Sequence, residues 1–442
     1  MDEAKLSFKN KLLAALLCAL VFSVVYNLCA WYAKTLEKVP SFVLGFEENI
    51  PFFPWMIVPY MSSSVFFVLV FFWCQSNIQL QVLLKRMLFV TLLAGTCFLI
   101  VPLRFSLLKP EVDNPFLNLF FRFLLQFDSP FNQLPSLHIA YAVLFWSVIK
   151  VRFRRKVKYA LATWLLLLCA STLLVYQHHI IDLVGGLVVV LLSMVVVSFK
   201  PTDVKNRNRH VANHYYLFTS LFFLLALLLS HFLGGYSGIF IWFGLNSLVV
   251  GYQYQINNPR FLKDENGNIS IVKKIIFLPY QLCYKLIWKF FKGRHTDIVE
   301  ILPQVYCSHR LNVKTIRSLD SNKVWWVYDI AAEMEEHKIW KTTAHYFSYP
   351  ILDVSVPKTE YLNTIVACID TQYKKIKNNE SILVHCTMGF TRSTIIAILL
   401  LRLNSQLSLE EAITVLKTKK PSVVLPEYAI NILKYYEFKQ TL

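Results

Sequence analysis

Apolar runs follow one another with short polar breaks from Met1 to about Ile256, and the pattern then changes. A helical membrane span needs about 20 mostly apolar residues. Eight segments approach that length: Lys11–Ala33, Phe52–Cys74, Met87–Leu103, Ser136–Ile149, Tyr159–Gln177, Ile180–Phe199, Tyr215–Leu233 and Tyr236–Tyr254. The first is too long, and too poor in small residues at a cleavage position, for a signal peptide. Phe116–Phe127 is amphipathic and predicts a helix lying in the membrane interface. Beyond Ile256 short apolar stretches alternate with helix-period segments. Val324–Val327 and Ile382–Val384 read as buried strands, and Glu360–Lys375 and Thr394–Leu403 as helices. The expected architecture is a multi-pass α-helical membrane bundle of about eight spans over residues 1–256. A linker over 257–296 and an α/β domain over 297–442 follow.

Composition sharpens this division. Apolar residues make up 56% of the 442 residues and charged residues 16%, with a mean hydropathy of +0.47. Soluble domains average about 45–50% apolar and about 25% charged, so a wholly soluble enzyme, a disordered chain and a disulfide scaffold are excluded. The nine cysteines show no metal-binding spacing, and five of them fall in apolar runs. The net charge of +18 is explained by anionic cytoplasmic lipid rather than nucleic acid, for which no motif is present. With a cytoplasmic N-terminus, inside segments would carry fifteen Lys/Arg and outside segments five. That bias predicts cytoplasmic N- and C-termini.

Two motifs fall at the same predicted outer depth. One is Pro135-Ser136-Leu137-His138; the other is Ser171-Thr172 followed by His178 and Asp182. Asp182 lies four residues after His178, so on a helix the two share a face. A carboxylate there fixes the imidazole tautomer and leaves the other nitrogen free to attack. His138 can then protonate a leaving oxygen. Each motif alone also fits a histidine reaching interfacial water, but ionisable groups inside a membrane mark function by default.

Pro-Ser-x-His followed by Ser-x6-His-x3-Asp resembles the type 2 phosphatidic acid phosphatase superfamily, in the branch of inositol-phosphoceramide-synthase-like transferases. The resemblance implies a six-helix core, with His178 as a nucleophile forming phosphohistidine, Asp182 orienting it and His138 as general acid. His179 is read as a supporting group that could exchange roles with His178. The superfamily carries Arg where Thr172 stands, and its upstream basic motif is not evident; Arg104 and Lys109 are the candidates to bind phosphate in its place. These departures weigh against simple hydrolysis and leave transfer to an alcohol open, so both hydrolysis and headgroup or phosphoryl transfer stand as expectations.

Asn257-Asn258-Pro259 and Asp264–Asn268 read as turns and loop. Ile271–Arg294 interleaves Lys273, Lys274, Lys285, Lys289, Lys292 and Arg294 with bulky apolar residues, and Pro279 kinks it. That composition suits the cytoplasmic membrane surface, the alternative being a helix packed on the next domain.

Between the second strand and the helix after it lies His385-Cys386-Thr387-Met388-Gly389-Phe390-Thr391-Arg392-Ser393. A strand-to-helix loop aims backbone N–H groups and a helix N-terminus at one point, which suits a phosphate dianion. Those donors favour a thiolate, the competent nucleophile, and Arg392 can grip two phosphate oxygens at once. Gly389 allows close backbone approach. The string resembles the dual-specificity branch of the cysteine-based phosphatases. That implies Cys386 as nucleophile, Arg392 as transition-state clamp, Ser393 as the hydroxyl assisting thiolate departure, and His385 as a buttress. It also implies a general acid upstream, for which Asp353 is the first candidate and Asp370 the alternative. Thr387, Met388, Gly389, Phe390 and Thr391 would contact substrate. With no Lys or Arg before Arg392 in the loop, a monophosphate suits it, on a lipid headgroup, a small alcohol or a protein side chain.

Together these features predict a membrane-bound bifunctional phosphatase acting on phospholipid or lipid-phosphate substrates. Its expected home is the bacterial inner membrane, as implied by the resemblance, with no cofactor, metal or nucleic acid. The alternatives are a membrane-tethered protein phosphatase with possible phosphoprotein substrates, and a non-catalytic, lipid-sensing bundle that regulates the phosphatase.

Overall fold

The computed structural model describes residues 6–198, 204, 206–291, 298–320 and 322–440. The expected domain start at Asp297, the span end at Phe199 and the charges Lys5, Lys200, Lys205, Lys292 and Arg294 lie outside those residues. The chain divides into two compact units, one of Met1–Phe199 with Tyr216–Gly244 and the other of Lys200–Tyr215 with Leu245–Leu442.

In the first unit, the helices are α1 (Phe8–Thr35), α2 (Ile57–Trp73), α3 (Asn77–Ile100), α4 (Pro115–Phe127), α5 (Leu137–Arg152), α6 (Arg155–Leu174) and α7 (Ile180–Val196). Helices α8 (Arg207–Leu233) and α9 (Gly238–Gln255) each run from one unit into the other. Side chains start several of them. Ser7 caps α1, Ser76 caps α3, and Asn114 caps α4 ahead of Pro115. The buried stripe of α1 is small (Ala14, Ala15, Cys18, Cys29, Ala30, Ala33), which lets neighbouring backbones approach where lipid supplies no hydrophobic drive. Helix α5 is buried on all sides and forms the centre of the bundle.

Among the described residues, five helices are long and apolar enough to cross a membrane: Phe8–Thr35, Pro54–Trp73, Asn77–Ile100, Arg155–Leu174 and Arg207–Ser230; Ile180–Val196 is a shorter apolar helix. The expected spans Ser136–Ile149 and Tyr236–Tyr254 form α5 and α9 but do not meet that standard. The 16 residues of α5 extend only about 24 Å at 1.5 Å per residue, against a hydrocarbon core of about 30 Å. Among the described residues, length and composition thus support five of the eight expected spans.

The second unit is built on a five-stranded sheet, β1 (Ile298–Leu302), β2 (Val305–His309), β3 (Val324–Ala331), β4 (His345–Ile351) and β5 (Glu380–Cys386). The spatial order is β1-β2-β5-β3-β4, antiparallel at β1 and parallel elsewhere. Strand β5 is central and almost wholly buried, hence its apolar kernel Ile382–Val384. Around the sheet lie α10 (Ile271–Ile276), α11 (Leu278–Phe291), α12 (Val313–Arg317), α13 (Lys338–Thr343), α14 (Thr359–Tyr373), α15 (Arg392–Asn404), α16 (Leu409–Lys419) and α17 (Glu427–Gln440). Both expected strands and both expected helices are present, each strand longer than its apolar kernel.

The expected linker after α9 is partly core. Leu262 and Lys263 are buried, and the Lys263 ammonium meets the Asp329 carboxylate at 2.6 Å and the Ala331 carbonyl at 2.6 Å. The α10–α11 pair breaks at Phe277, ahead of Pro279 in the first turn of α11. Its inner face packs on the α/β fold: Trp288 donates to the Arg310 carbonyl at 2.8 Å, and Phe291 stacks edge-on to Phe390.

Candidate functional site

Parallel register carries the ends of β2, β3 and β5 to one edge of the sheet, where His309 pairs with Cys386 and Asp329 with His385. Ligand sites of open α/β sheets form at this carboxyl edge. The loop from Cys386 to the start of α15 is held from outside through its carbonyls. Thr387 accepts from the Arg310 N–H at 3.2 Å, Gly389 from the buried Lys420 ammonium at 2.8 Å, and Phe390 from the Val424 N–H at 3.1 Å. In a planar trans peptide the N–H points opposite to the carbonyl, so these peptides turn their donors the other way. The Gly389 N–H reaches the Cys386 sulfur at 3.2 Å, and the Ser393 hydroxyl lies 3.5 Å from it. Gly389 has φ +71°, and a Cβ there would meet the His309 backbone at 2.8 and 2.9 Å, so both conformation and space require glycine.

Arg392, the first residue of α15, is buried. Glu333, following β3, receives both of its terminal nitrogens, at 2.8 and 2.6 Å, and the Ile351 carbonyl accepts from it at 3.0 Å. Asp353 sits 3.2 Å from the Arg392 Nε. Burial opposes ionisation of Glu333, but the guanidinium wins and holds its carboxyl below the usual range. Burial pushes the Asp353 carboxyl up; Arg392 pulls it down and the Glu333 charge pushes it up again. A carboxyl raised in this way keeps its proton to higher pH, as a general acid requires.

A pocket of about 330 Å³ opens over the loop, lined by Cys386, Met388, Phe390, Thr391, Arg392, Asp353 and Val354 among others. Thr387 and Ser393 are buried beneath it. Asp370 is engaged elsewhere, accepting from Asn404 at 2.7 Å and Lys374 at 2.6 Å. His385 lies 3.5 Å from Glu336 and is fully buried, in a buttressing position. Sequence reasoning missed Glu333 and Lys420; both stand in ordinary charged stretches with no motif spacing to the loop, and only the tertiary fold brings them to it.

In the first unit, Ser136 caps α5 and its N–H binds the Asp182 carbonyl at 2.9 Å. Helix α7 approaches that turn so closely that a Cβ on Gly186 would meet the Ser136 carbonyl at 2.5 Å. The contact brings the two sequence motifs together. The His138 and His178 rings are 5.8 Å apart, and the His178 Nδ1 lies 3.4 Å from Asp182, whose same oxygen accepts from the His179 N–H at 2.8 Å. His179 instead faces Glu47 at 2.9 Å and stacks on Phe105. Tyr60 stacks on His138 at 4.3 Å and donates to Asp128 at 2.9 Å; Tyr26 donates to the other oxygen of that carboxylate. Asp128 was not legible as a site residue because nothing in its spacing links it to either histidine motif.

A cavity of about 480 Å³ is lined by Tyr26, Tyr60, Asp128, His138, Tyr141 and His178 among others, with no Lys or Arg among the described residues lining it. Arg104 is exposed and does not line it. The Thr172 hydroxyl turns to the Cys169 carbonyl at 2.7 Å.

Residues 305–438 match the family model described as dual specificity phosphatase, catalytic domain. Residues 57–196 match that of the PAP2 superfamily. The chain is therefore a phosphatase with two domains, a PAP2-superfamily domain followed by a C-terminal dual-specificity phosphatase domain. By the latter it is a phosphoric monoester hydrolase. Among solved structures, it is similar to Tk-PTP in the active form, with 22% identity, 32% of this chain and 97% of that chain covered, and a TM-score of 0.30. It is also similar to human DUSP28, with 14% identity, 33% and 97% covered, and a TM-score of 0.26. Human tyrosine phosphatase-like serine/threonine/tyrosine-interacting protein gives 14% identity, 33% and 99% covered, and a TM-score of 0.28. No curated protein matches the chain.

Proposed function

We propose that the dual-specificity domain hydrolyses phosphomonoesters through a phosphocysteine. The Cys386 thiolate attacks phosphorus, forming the S–P bond as the P–O bond to the alcohol breaks. Asp353 delivers its proton to the departing oxygen. Arg392 turns its guanidinium to the equatorial oxygens alongside the N–H groups of 388–391. Water then attacks phosphorus, Asp353 takes its proton, and the Ser393 hydroxyl receives the departing thiolate. The observation that carries this reading is the Gly389 N–H and Ser393 hydroxyl converging on the Cys386 sulfur beside a braced Arg392.

In the PAP2-superfamily domain, we infer that His178 attacks a phospholipid phosphoester through Nε2, with Nδ1 turned to Asp182, and that His138 protonates the leaving group. Support comes from the meeting of the two motifs at one cavity. The lack of Lys or Arg among the described residues lining that cavity favours a singly charged phosphodiester and transfer to an alcohol over hydrolysis of a dianionic monoester. The same lack favours a second reading, in which this domain only senses lipid and tethers a protein phosphatase.

Loop charge supports an integral membrane protein with both termini cytoplasmic, an eight-span count counts the shorter helices too, and a bacterial inner membrane fits the family resemblance. Helices α10 and α11 suit the membrane surface: Ile271, Ile275, Leu278, Leu282, Leu286 and Phe290 are exposed beside lysines.

The test is phosphate release and lipid mass spectrometry on full-length protein in detergent. Wild type, Cys386→Ser and His178→Ala are compared on phosphatidic acid, phosphatidylglycerol phosphate, phosphatidylinositol phosphate and a phosphopeptide. Loss of a different lipid conversion in each variant supports two lipid-modifying sites. If Cys386→Ser alone removes all activity, the histidine mechanism is wrong.

A further inference from the structure

The segment that carries Asp353 is held by side chains from outside the family-matched catalytic domain, which begins at residue 305. Asn208, in the first turn of α8, accepts from the Val356 N–H at 2.7 Å and donates to the Val356 carbonyl at 3.0 Å. It pairs both backbone groups of that residue, as a neighbouring strand would. Asn257 donates to the same carbonyl at 3.1 Å. It closes α9 in the left-handed conformation, φ +53°, which Asn tolerates better than other side-chain-bearing residues. The neighbouring Arg207 donates to the Val354 carbonyl at 3.0 Å and lies over the Tyr428 ring, which lines the same pocket as Asp353.

Between the acid and this bracket stands Val354 at φ +54°. A β-branched residue avoids that conformation and keeps it only where its surroundings over-determine it. Within the loop itself, the Ser355 hydroxyl bonds the Leu352 carbonyl at 2.7 Å. The carbonyl of the strained residue and both backbone groups two residues on are engaged from α8 and the α9 terminus.

We propose that Asn208, seconded by Asn257 and Arg207, is the positioning device of the acid loop. Proton delivery to the leaving oxygen then depends on the first turn of α8 as well as on the catalytic domain. The proposal rests on the reading of Asp353 as general acid. Without the bracket Val354 relaxes, Asp353 leaves its place over Cys386 and Arg392, and the thiolate must expel an unprotonated alkoxide. Attack on phosphorus itself is untouched.

The test uses full-length protein in detergent and two substrates, phenyl phosphate with a poor leaving group and a fluorinated umbelliferyl phosphate with a good one. Acid assistance matters for the first and little for the second. Asn208→Ala is expected to lower kcat on phenyl phosphate about tenfold, part of the 10²–10⁴ typical of a general acid. It is expected to change the activated substrate by less than about twofold, which also shows that the protein is folded. Asn257→Ala gives a smaller loss of the same kind. Asp353→Asn gives the largest discrimination, and adding Asn208→Ala to it costs nothing more. Equal losses on both substrates, no loss on either, or additivity with Asp353→Asn overturns the positioning role. If Asp353→Asn itself fails to discriminate between the substrates, the acid assignment is wrong and the proposal falls with it.

Discussion

Replacing Glu333 by Ala removes the partner that takes both terminal nitrogens of Arg392 and leaves a buried guanidinium with the Ile351 carbonyl and the more distant Asp353. Breaking a buried ion pair from one side costs about 3–5 kcal/mol. The lower figure applies here, because two other groups still face the cation. Glu333→Gln keeps one acceptor and the volume, so about 1.5 kcal/mol is expected, the lower end for one hydrogen bond to a charged group. The catalytic cost has a separate origin. An unbraced guanidinium adopts many orientations, and losing one preorganised donor to the transition state typically lowers kcat about 10²–10³-fold. About a hundredfold, or about 2.7 kcal/mol at 1.36 kcal/mol per tenfold, is expected for Glu333→Ala, mostly in kcat. Initial rates of phosphate release and thermal unfolding, both on the full chain, separate the two effects. The decisive comparison is with Arg392→Ala, on which Glu333→Ala should have no further effect on rate if the carboxylate acts only through the guanidinium. Wild-type rates in Glu333→Ala, or additive losses in the pair, would refute the reasoning.

Lys263→Met leaves the buried Asp329 carboxylate with the Tyr346 hydroxyl and the Ala331 N–H as partners, and should destabilise the α/β unit by about 3–5 kcal/mol in denaturant unfolding. Burial opposes ionisation of Asp329, but the Lys263 charge holds its carboxyl below the ordinary range. The wild-type stabilisation is therefore complete above the unfolded pKa, near 3.9, and lost as pH falls through the lower folded value; Lys263→Met should flatten that acid loss. Tyr284 donates to Asp353 at 3.4 Å, and that bond lowers the Asp353 carboxyl. Tyr284→Phe should move the alkaline limb of kcat/KM to higher pH, and an unchanged limb would separate the tyrosine from the acid. Both proposed nucleophiles are side chains, so a chelator should leave phosphate release unchanged while vanadate, as a pentacoordinate phosphate mimic, inhibits; strict metal dependence would sink both assignments.

What the chain reveals before folding follows from how local the cause is. The Cys386–Ser393 loop was legible because every feature it needs is contiguous: a buried strand before it, a helix after it and the Arg six residues from the Cys. The strands carried less information at their ends, since Asp329 in β3 and His385 in β5 interrupt the apolar run while remaining in register. The histidine motifs could be placed at one depth from hydropathy, but not shown to meet, because their approach depends on Gly186 against the Ser136 carbonyl. Only five of the eight expected spans meet the length and composition standard among the described residues, for a similar reason. Helix α5 is apolar because it is enclosed by other helices, and an enclosed helix needs no full membrane-crossing length.

The residues that sequence reasoning could not reach are those acting across long separations. Glu333 lies 59 positions from Arg392, and Asn208 lies 148 from Val356. Asn257 reads from the sequence as part of a turn, where Asn needs no other explanation, and Asn208 stands in no motif. Their amides are instead used on one distant residue, Val356. A domain boundary drawn where patterning changes therefore separates the acid loop from groups that hold it. A full-length chain carrying Asn208→Ala, Asn257→Ala and Tyr284→Phe would keep Cys386, Arg392, Glu333, Asp353 and the Lys263–Asp329 pair while losing the groups that reach the acid loop. It should still turn over the activated aryl phosphate, yet lose most of its rate on phenyl phosphate. Full retention on both substrates would show that the acid loop holds itself.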